Sequence, residues 1–320
     1  MGVHKTKENK IMTLTVAIGP SSFAQENDMP RHLLESAGIT VKENPYGRRL
    51  TEPEIIAHLR ECDGLIAGLE PLNRTVIASA VPRLKAIARV GIGVANVDFE
   101  AAHEFQVKVS NTPEGPIEAV AEMTVSALLA LNRRLIPANE ALHQGKWKKE
   151  IGAGLRNARI LLIGYGRIGR RTAELLSAFG ARILVCDPYI EAASLNDGEK
   201  LVSLEEGLPG ADVISLHAAG ETCILGAPEF SRMKRGVTLL NSARGNLVDE
   251  TALVHALDDG TVGHAWFDAL WQEPYTGPLT QYPQALLTPH IATYTRQCRL
   301  DMESTAVRNL LRDLGVSART

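Results

Sequence analysis

Short apolar runs alternate with stretches of helical periodicity along most of this sequence. Such a run, ending at a glycine or a polar residue, is typical of a buried parallel strand. Strands are predicted at 12–18, 39–41, 64–67, 84–90, 158–163, 182–186, 211–216, 237–241, 264–267 and 286–288. Helices are predicted at 29–37, 52–62, 73–80, 117–134, 170–179, 249–257 and 302–314. The alternation predicts an α/β fold with two doubly wound parallel-sheet domains.

Residues 158–187 contain the most informative pattern. The strand at 158–163 leads into Gly164-Tyr165-Gly166-Arg167-Ile168-Gly169, and the helix that follows ends at Gly180. A second strand then ends at Asp187. Strand, glycine turn, helix, strand and terminal acid in this order are typical of a dinucleotide site. The alternative is a glycine turn with only a structural role.

Each part of this pattern has a physical task in dinucleotide binding. Gly164 would allow the tight turn, Gly166 would let the backbone approach the pyrophosphate, and Gly169 would allow close packing of helix on strand. The helix N-terminus would face the phosphates. Asp187 would accept hydrogen bonds from the ribose and repel a 2′-phosphate, so NAD is predicted as the cofactor. Arg170 and Arg171 could favour NADP, but we expect both to face solvent because they lie inside a helix.

The long helix predicted at 117–134 is apolar on almost every side, so it must be buried all round. We expect it to lie between domains or in a subunit interface. The more polar segment 132–154 carries Trp147 and is predicted to be an arm over a partner, which makes a homodimer the expected state. The helix at 302–314 is expected to return to the first domain.

Composition narrows the class of protein. The chain has 320 residues, 45% hydrophobic and 22% charged, which suits two globular domains. A net charge of −3 gives no reason to expect nucleic acid or a membrane as partner. The cysteines are scattered without metal-ligand spacing, which predicts reduced thiols, a cytoplasmic protein and no metal. They are Cys62, Cys186, Cys223 and Cys298.

Several polar residues directly follow predicted strands, and such residues meet at one edge of a parallel sheet. Arg244, Asp268 and His290 are placed in this way. An imidazole suits proton transfer near neutral pH, Glu273 could orient it, and Arg244 could hold a carboxylate bidentately. The alternatives are an ordinary surface or core histidine, a surface ion pair and a loop glutamate, and spacing alone leaves them open.

Four motifs occur in order along the chain: Gly164 through Gly169, Asn241-Ser242-Ala243-Arg244-Gly245, Asp268 through Glu273-Pro274, and Thr288-Pro289-His290. With them, the chain resembles the D-isomer-specific 2-hydroxyacid dehydrogenases over nearly its whole length. Residues 44–49 and 68–72 resemble the phosphoglycerate dehydrogenase-like branch of that family. The resemblance implies a Rossmann nucleotide domain at 113–294. It implies a smaller flavodoxin-like substrate domain formed by 1–112 and 295–320.

The resemblance also assigns roles to residues. It implies that Arg244 binds substrate, that His290 is the acid/base paired with Glu273, and that Asp268 lies at the nicotinamide. The implied cofactor residues are Gly164, Gly166, Arg167, Ile168, Gly169, Asp187, His217, Thr222, Ser242, Ala243, Arg244, Asp268 and His290. The implied substrate residues are Gly91, Ile92, Gly93, Arg244 and His290. From the residues alone, the loop at 91–93 is equally well explained as a turn that needs positive φ.

Some features depart from the family pattern. Ala95 stands where an acidic residue is usual, segment 217–222 is shorter than usual, and Trp266 and Trp271 bracket Asp268. These departures leave the particular substrate open. The sequence ends after the catalytic core, so we expect no serine-feedback domain of the kind that many serine-pathway members carry.

The sequence therefore predicts an NAD-dependent oxidoreductase that interconverts a D-2-hydroxyacid and its 2-oxoacid. A leading substrate is 3-phosphoglycerate, with Arg48 and Arg49 as candidates for its anionic tail or as a solvated basic turn. One alternative is an NAD(H)-sensing, corepressor-like binding module, against which the intact Arg–Glu–His set argues. Another is a formate, phosphite or phosphonate-intermediate dehydrogenase on the same fold.

Overall fold

The computed structural model describes residues 13–220 and 222–316. It divides into two compact units. The first combines the described residues up to Pro116 with those from Thr295 onward, and the second is Ile117–Tyr294. Secondary-structure elements are numbered below in chain order across both units.

The first unit is built on a parallel sheet whose strands, among the described residues, are β1 Thr15–Ile18, β2 Thr40–Lys42, β3 Gly64–Ala67, β4 Ala86–Arg89 and β5 Lys108–Ser110. Their order in the sheet is β2-β1-β3-β4-β5, and all neighbours pair in parallel. This is the flavodoxin-like order of a doubly wound sheet. It confirms the fold predicted for the smaller domain. The first predicted strand began at Met12, which lies outside the described residues.

The described helices of this unit are α1 Met29–Ser36, α2 Glu52–His58, α3 Arg74–Ala80, α4 Phe99–Glu104 and α11 Arg296–Asp313. Local sequence sets several of their ends. Asn73 and Asp98 cap α3 and α4 by accepting backbone N–H groups, and Gly38 takes the left-handed conformation just after α1. Helix α11 packs on α1, β3, β4 and β5, so the C-terminal helix returns to the first unit as predicted.

The second unit is built on a larger parallel sheet, whose strands among the described residues are β6 Arg159–Ile163, β7 Arg182–Cys186, β8 Lys200–Leu201, β9 Val213–Leu216, β10 Val237–Asn241, β11 Val262–Phe267 and β12 Ala285–Leu287. Their order is β12-β11-β10-β9-β6-β7-β8, with all neighbours parallel. The direction of winding reverses between β6 and β9. This is the Rossmann order, and its ligand crevice lies at the carboxyl ends of those two strands.

The described helices numbered with this unit are α5 Pro116–Asn132, α6 Leu135–His143, α7 Arg167–Ala178, α8 Leu204–Gly207, α9 Ala227–Phe230 and α10 Glu250–Asp258. The prediction that this helix is buried all round is wrong for one stripe of α5, where Glu118, Glu122 and Ser126 are exposed at four-residue spacing. The segment predicted as a polar arm contains α6, which the sequence reasoning missed. Apolar side chains cover both faces of the sheet.

Candidate active site

The glycine turn after β6 packs against the residues that follow β9. Gly164 has φ +96°, and a Cβ there would lie 2.5 Å from the Ala218 backbone nitrogen. A Cβ on Gly169 would lie 2.3 Å from the Gly164 carbonyl oxygen. A Cβ on Gly166 would meet no described atom within 4 Å. Two of the glycines are therefore required by crowding, and the third borders open space on the side predicted to face the pyrophosphate.

Helix α7 begins at Arg167, whereas the pattern predicted a start at residue 170. Its N-cap is Gly166, which provides no side-chain hydrogen bond to the first turn. The N–H groups of that turn therefore need another acceptor, and a phosphate would be a suitable one. Arg167 and Ile168 lie in this turn, the first exposed and the second half-buried.

Asp187, at the end of β7, is bound to the glycine turn. Its Oδ2 accepts the Tyr165 backbone N–H at 2.7 Å, and its Oδ1 accepts the Tyr189 N–H at 2.9 Å. Each carboxylate oxygen has a second lone pair, so both can still accept from ribose hydroxyls. Arg170 is half-buried, and its guanidinium lies 4.5 Å from the Tyr165 ring centroid and donates to the Ser194 carbonyl at 2.8 Å.

Tyr165 was missed as a site residue by the sequence reasoning. Its ring is fully buried, and its hydroxyl donates to the Glu199 carboxylate and accepts from Asn196. Burial and the neighbouring carboxylate raise the pKa of Tyr165 above its ordinary value. The turn that contacts Asp187 is thus also bonded to the segment after β7. No local sequence signal indicates these partners.

His217 follows β9 and lies beside the glycine turn. Its Nε2 is 2.9 Å from Ser215 Oγ, and its enclosed Nδ1 has no hydrogen-bond partner among the described residues. Burial lowers the pKa of His217 to about 4, so the ring is neutral at pH 7. Thr222 is exposed, and its neighbour Glu221 lies outside the described residues.

The loop after β10 carries Ser242, Ala243 and Arg244 and is held by the buried Asn241 side chain. Asn241 Oδ1 accepts the Ala243 N–H at 3.0 Å, and its Nδ2 donates to the Arg244 carbonyl at 2.8 Å. Arg244 is half-buried, and its Nη1 donates to the Ala243 carbonyl at 2.6 Å. A guanidinium has further N–H donors, which remain able to bind a carboxylate bidentately.

Asp268, at the end of β11, is 1% exposed and binds the loop that carries His290. Its carboxylate accepts hydrogen bonds from the Thr288 hydroxyl and from the Ile291 and Ala292 N–H groups. Its own N–H donates to the Asn241 carbonyl at 3.0 Å. One hydrogen-bonded frame therefore holds both the Arg244 loop and the His290 loop.

The side chains of His290 and Glu273 lie side by side in this second unit. His290 Nδ1 is 2.8 Å from Glu273 Oε1, and each side chain is about one-third exposed, 32% and 30%. With a carboxylate accepting at Nδ1, that nitrogen carries the proton and Nε2 is the atom that exchanges one. His290 has φ +55°, in the left-handed region that residues other than glycine seldom adopt.

The glycine loop after β4 belongs to the first unit. Gly91 has φ +130°, and its N–H donates to Thr112 Oγ1 at 2.7 Å. The exposed Ile92 presents its carbonyl to Asn111, which donates at 2.8 Å, and Gly93 is half-buried. The positive φ explains the first glycine.

Three other singled-out side chains have structural partners. Both terminal nitrogens of Arg48 bond the Glu54 carboxylate, at 2.9 and 2.7 Å. Trp266 is fully buried in the core, and Trp271 donates to the Val248 carbonyl at 2.7 Å.

Within residues 13–220 and 222–316, no three His, Cys, Asp or Glu side chains are grouped as metal ligands. No described helix is both long and apolar enough to cross a membrane.

Comparison with known proteins gives consistent matches. The family model described as D-isomer specific 2-hydroxyacid dehydrogenase, NAD binding domain, matches residues 125–292. A relative, D-3-phosphoglycerate dehydrogenase of Sus scrofa, is 34% identical over 276 residues, which are 84% of this chain and 51% of the relative. This chain thus spans about half the length of the curated relatives it matches.

Two solved structures are similar over nearly their full length. The TT0316 protein from Thermus thermophilus has a TM-score of 0.86 at 33% identity, covering 96% of this chain and 99% of that one. A glyoxylate reductase from Paecilomyes thermophila has a TM-score of 0.83 at 28% identity, covering 95% and 96%.

Proposed function

Because this chain belongs to the D-isomer specific 2-hydroxyacid dehydrogenase family, we propose that it interconverts a D-2-hydroxyacid and its 2-oxoacid with NAD as cofactor. The observation that carries the proposal is the contact between His290 Nδ1 and Glu273 Oε1. It lies in the same hydrogen-bonded frame as the Arg244 loop. Both loops follow the carboxyl ends of strands, where such sheets bind their ligands.

In the reductive direction, NADH held by the β6 turn and Asp187 would supply the hydride that the carbonyl carbon of the 2-oxoacid gains. His290 donates the proton from Nε2 to the carbonyl oxygen, which completes the hydroxyl group. Glu273 fixes the tautomer through Nδ1 and stabilises the imidazolium before the proton leaves. In the oxidative direction the same ring accepts the hydroxyl proton.

Arg244 holds the substrate carboxylate and polarises the neighbouring carbonyl. Asn241 prepares this contact, because its side chain bonds the backbone of the loop on both sides of the arginine. The residues proposed for the cofactor are those of the β6 turn, Asp187, His217, Thr222, Ser242, Ala243 and Asp268. Those proposed for the substrate, besides Arg244 and His290, are Gly91, Ile92 and Gly93.

The testing experiment is a screen of 2-oxoacids with NADH and NADPH, following loss of cofactor absorbance and identifying the product. The panel should include 3-phosphohydroxypyruvate, because matched relatives are named D-3-phosphoglycerate dehydrogenase, together with hydroxypyruvate, glyoxylate, pyruvate and phosphonopyruvate. His290→Gln and Arg244→Lys should each lower kcat/KM at least 100-fold on the best substrate. Tight NADH binding without any turnover would contradict the proposal and favour a sensing module.

We also propose a homodimer in the cytoplasm. Helix α6 and the segment after it expose Leu135, Ile136, Leu142, Trp147 and Ile151, side chains that a partner subunit would cover. All four cysteines are free thiols, as is usual in a reducing compartment. Sedimentation should give a dimer at micromolar concentration, and Leu142→Asp with Ile151→Asp should give a monomer. A wild-type monomer would contradict the dimer, and cell fractionation tests the location.

A further inference from the structure

A line of hydrogen bonds begins at a tryptophan in the core and ends on the loop that carries His290. Trp266 donates its indole N–H to Thr288 Oγ1 at 3.0 Å, and the Thr288 hydroxyl donates to Asp268 Oδ1 at 2.6 Å. The Trp266 N–H occupies one lone pair of the Thr288 oxygen. The single proton of the Thr288 hydroxyl is therefore directed at the Asp268 carboxylate. Each bond in such a line polarises the next.

The Asp268 end of this line meets the backbone on either side of the imidazole. Its carboxylate accepts the Ile291 N–H at 2.9 Å and the Ala292 N–H at 2.8 Å. Its carbonyl oxygen accepts the His290 N–H at 2.9 Å. Three consecutive N–H groups are thus bound by one residue, and His290 is held at φ +55°. A conformation of that kind persists only where surrounding contacts determine it.

We propose that Trp266, Thr288 and Asp268 are positioning residues that fix the His290 backbone, so that Nδ1 meets Glu273 and Nε2 is left for the substrate oxygen. This inference rests on the proposed function, because that function gives His290 the proton transfer. The loss of an ordinary hydrogen bond in the core would disturb several strands of the sheet. These bonds instead converge on residues 290–292, so their loss acts on one loop.

The test compares variants of Thr288 in the full-length chain. Thr288→Val removes the hydroxyl at almost constant volume and breaks both of its bonds. Thr288→Ser keeps the hydroxyl. Thr238→Val is the matched control, because Thr238 is a buried threonine of β10 whose hydroxyl likewise bonds a side-chain oxygen, Asn132 Oδ1, at 3.2 Å. Trp266→Phe removes the first donor of the line together with part of a buried ring, so its effect is compared with its loss of stability.

For the best 2-oxoacid, Thr288→Val should lower kcat roughly 10- to 100-fold and move the pH profile, with the Kd for NADH within about threefold of wild type. Thr288→Ser should restore kcat to within about threefold, and Trp266→Phe should fall in between. Thr238→Val should keep the wild-type kcat and pH profile. Equal losses in Thr288→Val and Thr288→Ser, or a wild-type profile in Thr288→Val, would overturn the proposal.

Hydrogen exchange gives a readout that does not need turnover. Amide exchange of residues 288–294, measured by mass spectrometry, should be at least tenfold faster in Thr288→Val than in wild type or Thr238→Val. An exchange rate in Thr288→Val equal to that of the wild type would overturn the proposal. If the wild type reduces no 2-oxoacid, the proposed function fails, and the exchange result still decides whether this line of bonds holds the loop.

Discussion

Substitution by serine should have different effects at the first two glycines of the β6 turn: it should lower the stability at Gly164 and weaken NADH binding at Gly166. Gly164→Ser places a side chain at φ +96°, with its Cβ 2.5 Å from Ala218 N and 2.6 Å from the His217 carbonyl carbon. The left-handed backbone costs about 1–2 kcal/mol and overpacking about 1–3 kcal/mol, or roughly 2–5 kcal/mol together. At about 2–4 °C per kcal/mol, Tm should fall by roughly 4–20 °C.

Gly166→Ser meets neither obstacle. The backbone there has φ −71° and ψ −165°, which any residue adopts, and no described atom lies within 4 Å of its Cβ. Serine is also a better N-cap than glycine, so stability should stay the same or rise by a few tenths of a kcal/mol. The new side chain occupies the space proposed for the pyrophosphate. NADH should therefore bind about tenfold more weakly, a loss of about 1.4 kcal/mol.

The assay combines thermal unfolding of the free protein with a fluorescence titration by NADH. Gly198→Ser is the control for backbone strain alone, because Gly198 has φ +87° and no described atom near its Cβ. It should lose only about 1–2 kcal/mol. If Gly166→Ser binds NADH as tightly as wild type, the turn is not the pyrophosphate cradle. If Gly164→Ser is no less stable than Gly198→Ser, the packing argument is wrong.

Three further predictions concern charged and titrating groups. Glu273→Gln removes the carboxylate that accepts at His290 Nδ1 and orients the ring, so kcat for 2-oxoacid reduction should fall roughly 10- to 100-fold, and a wild-type kcat would rule out the pairing. Burial lowers the pKa of His217 to about 4. As the pH falls from about 6.5 to 4, this histidine is protonated in the unfolded chain but not in the folded one. The free energy of unfolding should therefore drop over that window by up to about 3 kcal/mol. Urea unfolding between pH 7 and pH 4.5 should show a shallower drop for His217→Gln, and parallel curves would contradict this. Asp187→Ser should lower the ratio of kcat/KM with NADH to kcat/KM with NADPH. An unaltered ratio would show that Asp187 does not select the cofactor.

Buried strands were the easiest elements to predict. β3, β7 and β10 have the predicted bounds, because an apolar run between polar ends is a local signal. The sequence also indicated which polar residues follow strands, and parallel strands bring their carboxyl ends to one edge. The elements it missed include α4, β5, α6 and β8. β5 and β8 have only 3 and 2 residues, too few for a period to be recognised.

Within the site, the sequence by itself determined the residue types and their order: the glycines of the turn, the acid at the end of β7, and the arginine, glutamate and histidine. These follow from local patterns and from the family resemblance, and their roles stay predictions. Only the tertiary structure decided which groups bond one another. Tyr165 meets Glu199, and Trp266 reaches Asp268 through Thr288. These partners lie on different strands and loops, so packing of the whole sheet brings them together and no local spacing encodes them.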